Sequence, residues 1–160
     1  EDHAFIPPLE EFIRDVKTSG QPMVGICFGH QIIAQALGGK VEKFEGGWSI
    51  GHTTYDIECQ EMAINAWHQD QVTQLPEGAK TVSSTEFCQH AALTVGDHIY
   101  TIQPHPEFQA GFVVGLAETR AKGVVPDGQR LAAIESAKAP VAQAEMADQF
   151  EAFLKGHAHG

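Results

Sequence analysis

Leu9, Phe12, Ile13 and Val16 fall at i, i+3, i+4 and i+7, a spacing that predicts an amphipathic helix near the start of the chain. Pro7 and Pro8 suit its first turn and Gly20 its end. An apolar run over residues 23–27 predicts a buried strand. Ile32, Ile33, Ala36 and Leu37 then supply the inward face of a second helix, which Gly38-Gly39 stops. Short strands are expected around residues 40–44, 51–58, 80–86, 91–95 and 99–103. A helix over 109–122 has Phe112, Val113 and Leu116 as its expected inner face, and one over 145–154 carries Met146, Phe150, Phe153 and Leu154. Pro126-Asp127-Gly128 reads as a turn.

Strand, helix, several strands, strand, helix is an α/β pattern with a partly antiparallel insert. No repeat, low-complexity tract or linker divides residues 1–160, which read as a single domain. The chain opens on a crossover helix, so the expectation is that the N-terminal strands of the sheet are missing. A sheet without them exposes an edge, to be covered by an upstream segment or by a second copy of the chain.

The chain has 160 residues, enough for one domain with a substantial core. A net charge of −11 argues against a nucleic-acid surface, and no apolar run is long enough to span a membrane. The three cysteines, Cys27, Cys59 and Cys88, have no regular spacing, which points to a reducing, cytoplasmic setting rather than a disulfide framework. Nine histidines raise the question of a metal, but neither Cys-x-x-Cys nor His-Glu-x-x-His occurs, and no metal site is expected. His157 and His159 read as a solvated tail.

The strongest chemical signal is Gly25-Ile26-Cys27-Phe28-Gly29-His30-Gln31, directly after the apolar run. Strand, Gly-x-Cys-x-Gly and helix form the cysteine version of a nucleophile elbow. The flanking glycines are expected because a Cβ on either would meet the closely packed chain. The turn puts the sulfur at a helix N-terminus, where the dipole favours thiolate. Downstream, Pro104-His105-Pro106-Glu107-Phe108 follows a strand. On an extended stretch His105 and Glu107 leave the same side, so the carboxylate can hold one ring nitrogen while the other faces a thiol.

These motifs, with Ala34-Gln35-Ala36-Leu37-Gly38-Gly39-Lys40-Val41 and Trp67-His68-Gln69-Asp70-Gln71-Val72, resemble a class I glutamine amidotransferase domain between Pro22 and Phe108. The resemblance extends to the amidotransferase domain of GMP synthase and to stand-alone γ-glutamyl peptidases. It implies a three-layer open α/β sheet flanked by helices, with the elbow at the carboxyl end of a central strand. It implies a catalytic triad of Cys27 nucleophile, His105 base and Glu107 orienter, acting through a thioester with no metal or organic cofactor. The Phe28 amide would donate to the oxyanion and Gln31 would contact the substrate. A loop of Trp67, His68, Gln69, Asp70 and Gln71 would hold its amino-acid end. The implied substrate is glutamine or a γ-glutamyl compound, with ammonia passed to a synthetase partner chain.

Other readings stand beside this one. The same triad serves a γ-glutamyl peptidase, which differs only in the leaving group. A non-catalytic binding or regulatory domain of this fold is a further alternative. His30 reads as a packing residue, and His68 and Asp70 as members of a locally ordered loop. Gly46-Gly47-Trp48-Ser49-Ile50-Gly51 fits either a loop near the site or a hairpin turn. Cys59 and Cys88 have no neighbouring base and read as inert.

Overall fold

The apolar stripe of the first helix, α1 (Ile6–Ser19), packs Ile13 and Val16 inward, and Gly20 closes it in the left-handed conformation at φ 73°. The prolines lie in its first turn, where their missing N–H groups would have had no intrahelical acceptor. The chain then enters β1 (Met23–Ile26), turns at Cys27 and continues as α2 (Phe28–Ala36). The computed structural model describes residues 3–156; His157 and His159 lie outside them. The remaining strands are β2 (Lys40–Lys43), β3 (Ser49–Ile57), β4 (Gln60–His68), β5 (Asp70–Gln74), β6 (Ala79–Ser83), β7 (Ala92–Val95) and β8 (Ile99–Ile102). Helices α3 (Ala110–Thr119), α4 (Asp127–Ser136) and α5 (Gln143–Gly156) close the described chain.

The main sheet runs β1-β8-β7-β6, with β1 and β8 parallel and the other pairs antiparallel. Two further pairs, β2 with β5 and β3 with β4, are antiparallel. All four residues of β8 are buried because both faces are covered. Ile99 packs with Ile13, Ile32 and Ile33 of α1 and α2. Tyr100 and Ile102 pack with Tyr55, Ile57, Met62 and Ile64 of the β3–β4 hairpin and Met146 of α5. Helices, sheet, and hairpin with α5 are the three layers.

Among the described residues β1 lies at the edge of the main sheet. A groove of about 210 Å³ beside it is lined by Leu9, Phe12, Val24 and Phe28. The expected 67–71 loop is largely strand: Trp67 and His68 end β4, and Asp70 and Gln71 begin β5. Its strands escaped notice because the hairpin turn uses Glu58 and Cys59 at φ 53° and 64°, where glycine or asparagine is the usual signal. Pro126-Asp127-Gly128 is not a free turn but the start of α4, with Pro126 as its N-cap. Phe112 is 54% exposed; Val113 and Ala117 form the buried face of α3. Among the described residues no helix is long and apolar enough to cross a membrane.

The two elbow glycines differ. A Cβ on Gly25 would come within 2.9 Å of the Gly29 backbone and 2.6 Å of Ile33 Cδ1, whereas one on Gly29 meets nothing within 4 Å. The close approach is therefore at Gly25 alone, where β1 passes beneath α2. Gly25→Ala is expected to cost about 1–3 kcal/mol through overpacking. Gly29→Ala, at an open helical position, is expected to stay within ~1 kcal/mol of the parent. Urea denaturation followed by circular dichroism checks both; equal losses would contradict the asymmetry.

Candidate active site

Cys27 has φ 48° and ψ −99°, a conformation that L residues rarely adopt and that costs roughly 1–3 kcal/mol. It is held from both sides. Its N–H donates to the Ile102 carbonyl at 2.9 Å, and its own carbonyl accepts the Gln31 N–H at 3.0 Å. The sulfur stands at the head of α2 and lines a cleft of about 350 Å³ with Gln31, Trp48, Trp67, Gln69 and Asp70. Trp67 and Trp48 form a tilted aromatic wall with ring centroids 6.3 Å apart. Trp48 resolves the glycine-rich segment after β2 as a loop beside the site.

His105 comes from the segment after β8. Its Nδ1 lies 2.7 Å from Glu107 Oε1. The two side chains meet through a turn rather than along an extended strand, because the Phe108 N–H donates back to the His105 carbonyl at 3.2 Å. Asn65 of β4 pins both ends of this turn. Its carbonyl accepts the His105 N–H at 2.8 Å, and its Nδ2 donates to the Phe108 carbonyl at 2.9 Å. Phe108 also stacks on the imidazole at 3.8 Å.

Burial alone would lower the His105 pKa, but hydrogen bonds with Cys27 and Glu107, and the charges of both, raise it to about 9. Burial would raise Glu107, yet the His105 partner holds its carboxyl below the ordinary value. An imidazolium beside a thiol at neutral pH can support nucleophilic attack by sulfur and then proton delivery to a leaving group. Burial instead pushes the Cys88 thiol up to about 12, which suppresses its thiolate; Cys59 is exposed at the hairpin turn.

Of the other residues singled out, Phe28 opens α2, where first-turn amides have no helical acceptor. Gln31 donates to the Asp70 carbonyl at 2.8 Å. Gln69 lines the cleft while bonding the Phe44 carbonyl. His68 borders the cleft but is 4% exposed, and its Nδ1 faces the Asp70 backbone carbonyl, not a carboxylate. Gln71 is a correction: alternation along β5 buries it, and it bonds the Phe87 carbonyl instead of lining the cleft. Two cleft residues were missed. Gln103 touches the sulfur and Lys43 lines the cleft; the first closed the expected strand over 99–103 without a role, and the second carried no sequence signal. Among the described residues no cluster of three or more His, Cys, Asp or Glu could hold a metal.

Beneath the elbow, His30 is fully buried with Nδ1 2.8 Å from Thr101 Oγ1. Burial lowers its pKa to about 3, and nearby His68 adds to the effect. Burial likewise lowers His68 to about 4.

Residues 2–112 match the family model described as glutamine amidotransferase class-I. A γ-glutamyl peptidase 3 from Arabidopsis thaliana is 34% identical over 122 residues, covering 67% of this chain and 49% of that protein. A glutamine-hydrolysing GMP synthase from Shewanella woodyi is 33% identical over 110 residues, covering 58% of this chain and 21% of that protein. The chain spans about half the length of the curated relatives it matches first. A crystal structure of a glutamine amidotransferase from Methylobacillus flagellatus superimposes with TM-score 0.78 at 22% identity, covering 98% of this chain and 70% of that one.

The buried neutral histidines set a pH dependence. Their folded pKa values lie below the ordinary 6.5, so they cost nothing above it and oppose folding increasingly as pH falls toward about 4 and 3. Each is expected to remove roughly 2 kcal/mol of stability between pH 6.5 and 4.5. His30→Gln should make the urea midpoint less sensitive to pH over that window. An unchanged pH dependence would show that His30 is not held neutral.

Proposed function

The chain belongs to the class I glutamine amidotransferase family, and we propose that its site hydrolyses the side-chain amide of glutamine through a thioester on Cys27. The observation that carries this reading is the strained Cys27 at the head of α2 beside a His105 held by Glu107 at 2.7 Å. In this mechanism the Cys27 sulfur attacks the substrate carbonyl carbon, and the oxyanion forms against the Phe28 amide. Such a donor contributes about 3 kcal/mol of transition-state stabilisation. His105 Nε2 gives its proton to the departing nitrogen as the C–N bond breaks, and ammonia leaves. A water then gives a proton back to His105 while its oxygen bonds the thioester carbon. The C–S bond breaks, releasing glutamate and regenerating the thiolate. Glu107 keeps Nδ1 bonded, so Nε2 carries both proton transfers.

Gln31, Trp67, His68, Gln69 and Asp70 surround the substrate in this reading. Ammonia passes to an acceptor on a partner synthetase chain, and the setting is cytoplasmic. A second reading, cleavage of γ-glutamyl peptides by the same residues, is favoured by the 34% identity to a γ-glutamyl peptidase. The steps are unchanged except that an amino acid amine leaves in place of ammonia.

Ammonia release from glutamine, measured beside amine release from γ-glutamyl dipeptides, separates the two readings. An electrophilic glutamine analogue should label Cys27 and spare Cys59. Cys27→Ser is expected to lower turnover by more than ~10³-fold with the fold retained. Glu107→Gln is expected to lower kcat by about 10²-fold. Undiminished turnover by Cys27→Ser, or labelling confined to another cysteine, would rule out the nucleophile assignment.

A further inference from the structure

Gln103 is completely buried at the end of β8, and its side chain joins two parts of the site. Its Nε2 donates to Cys27 Sγ at 3.5 Å. Its Oε1 accepts from Gln31 Nε2 at 3.2 Å, and the same Gln31 nitrogen donates to the Asp70 backbone carbonyl at 2.8 Å.

The orientation of this chain of amides follows from its far end. A backbone carbonyl can only accept, so Gln31 must turn its NH₂ toward Asp70. That nitrogen also faces Gln103, which must then present its oxygen. The NH₂ of Gln103 is left pointing at the sulfur. Reversing Gln103 alone would oppose two donors, and reversing Gln31 as well would set its oxygen against the Asp70 carbonyl. Gln103 is thereby fixed as a donor to Cys27, and a donor favours the charged form of its acceptor.

We propose that Gln103 stabilises the Cys27 thiolate by a hydrogen bond whose direction Gln31, the substrate-facing residue, enforces. This rests on Cys27 being the nucleophile, as above. The bond is partly buried, with the Gln103 end fully enclosed, and a hydrogen bond to a charged sulfur in such a setting is stronger than one in water. Gln31 lines the cleft, so a substrate that draws its amide away loosens the lock on Gln103. The binding of the substrate and the reactivity of the sulfur are then coupled through two amide groups. Charged and titratable groups around the sulfur are His105 with Glu107 from the β8 side, Tyr55 of β3, His68 at the end of β4, and Asp70 and Lys43 at the mouth of the cleft. All remain in place when Gln103 is changed.

The test is the rate of Cys27 alkylation by iodoacetamide as a function of pH, mapped by peptide mass spectrometry in the full chain, with exposed Cys59 as internal reference. In the parent, Cys27 should react faster than Cys59 at pH 7. Gln103→Glu, which places an acceptor against the sulfur, should slow Cys27 by about 10-fold or more and raise the midpoint of its pH profile by about one pH unit. Gln103→Met, similar in size and free of charge, should move the profile the same way by less, and decides the matter if the Glu variant does not fold. Gln31→Met should give an intermediate slowing, because the Gln103 amide is then free to turn. Cys59 should not change in any variant. A purely structural role would lower stability without moving the midpoint, so superimposable Cys27 profiles for the parent and Gln103→Met would overturn the proposal while leaving the nucleophile reading intact. A parent Cys27 that reacts no faster than Cys59 would remove that reading and the proposal with it.

Discussion

The register between β1 and β8 is the constraint on which the site depends. Ile26 lies opposite Ile102 in a parallel pair, so Cys27 and Gln103 leave the sheet side by side. The Cys27 N–H bonds the last β8 carbonyl, and two residues past Gln103 the chain delivers His105. A slip of one residue would turn β8 over and send Tyr100 and Ile102 toward α2. Both cores oppose that slip, since Ile99 is built into the α1–α2 side and Tyr100 and Ile102 into the hairpin and α5 side. The packing of the sheet and the meeting of thiol and imidazole are one physical fact.

The β3–β4 hairpin supplies the second support. Through Asn65 it fixes the turn that carries His105 and Glu107, and through Trp67 it walls the cleft. Their partners decide which of the three histidines near the site is charged. His105 has a carboxylate and a thiol as neighbours, which outweigh its burial. His68 has only a backbone carbonyl at its Nδ1, and His30 a threonine hydroxyl, so burial keeps both neutral. A site with one cationic imidazole and two neutral ones beneath it follows from partners rather than from residue type.

Helices α1 and α2 and the main-sheet strands were legible because their hydrophobic periods are regular: Ile13 and Val16 in α1, Ile32, Ile33 and Ala36 in α2, and the continuous apolar run of β8; α4, with Ala133 as its one buried residue, carries no such stripe. The elbow was legible because Gly25 and Cys27 answer a local steric need. What was hidden depended on pairing partners. The tip of the β3–β4 hairpin carries no turn residue, and its two exceptional φ values fall on Glu58 and Cys59. Gln71 looked like its neighbours in the motif, yet strand alternation turns it into the interior. Gly29 looked like Gly25, but only Gly25 lies under α2.

The central claim is that this register places Cys27 against His105 closely enough to hold the imidazole protonated at neutral pH. The direct measurement is a nitrogen-15 NMR titration of the His105 ring in the parent and in Cys27→Ala. In the parent it should titrate near pH 9, and loss of the thiol should bring it down toward the ordinary histidine range, with Glu107 keeping part of the elevation. A His105 that titrates near 6.5 in both proteins would contradict the account.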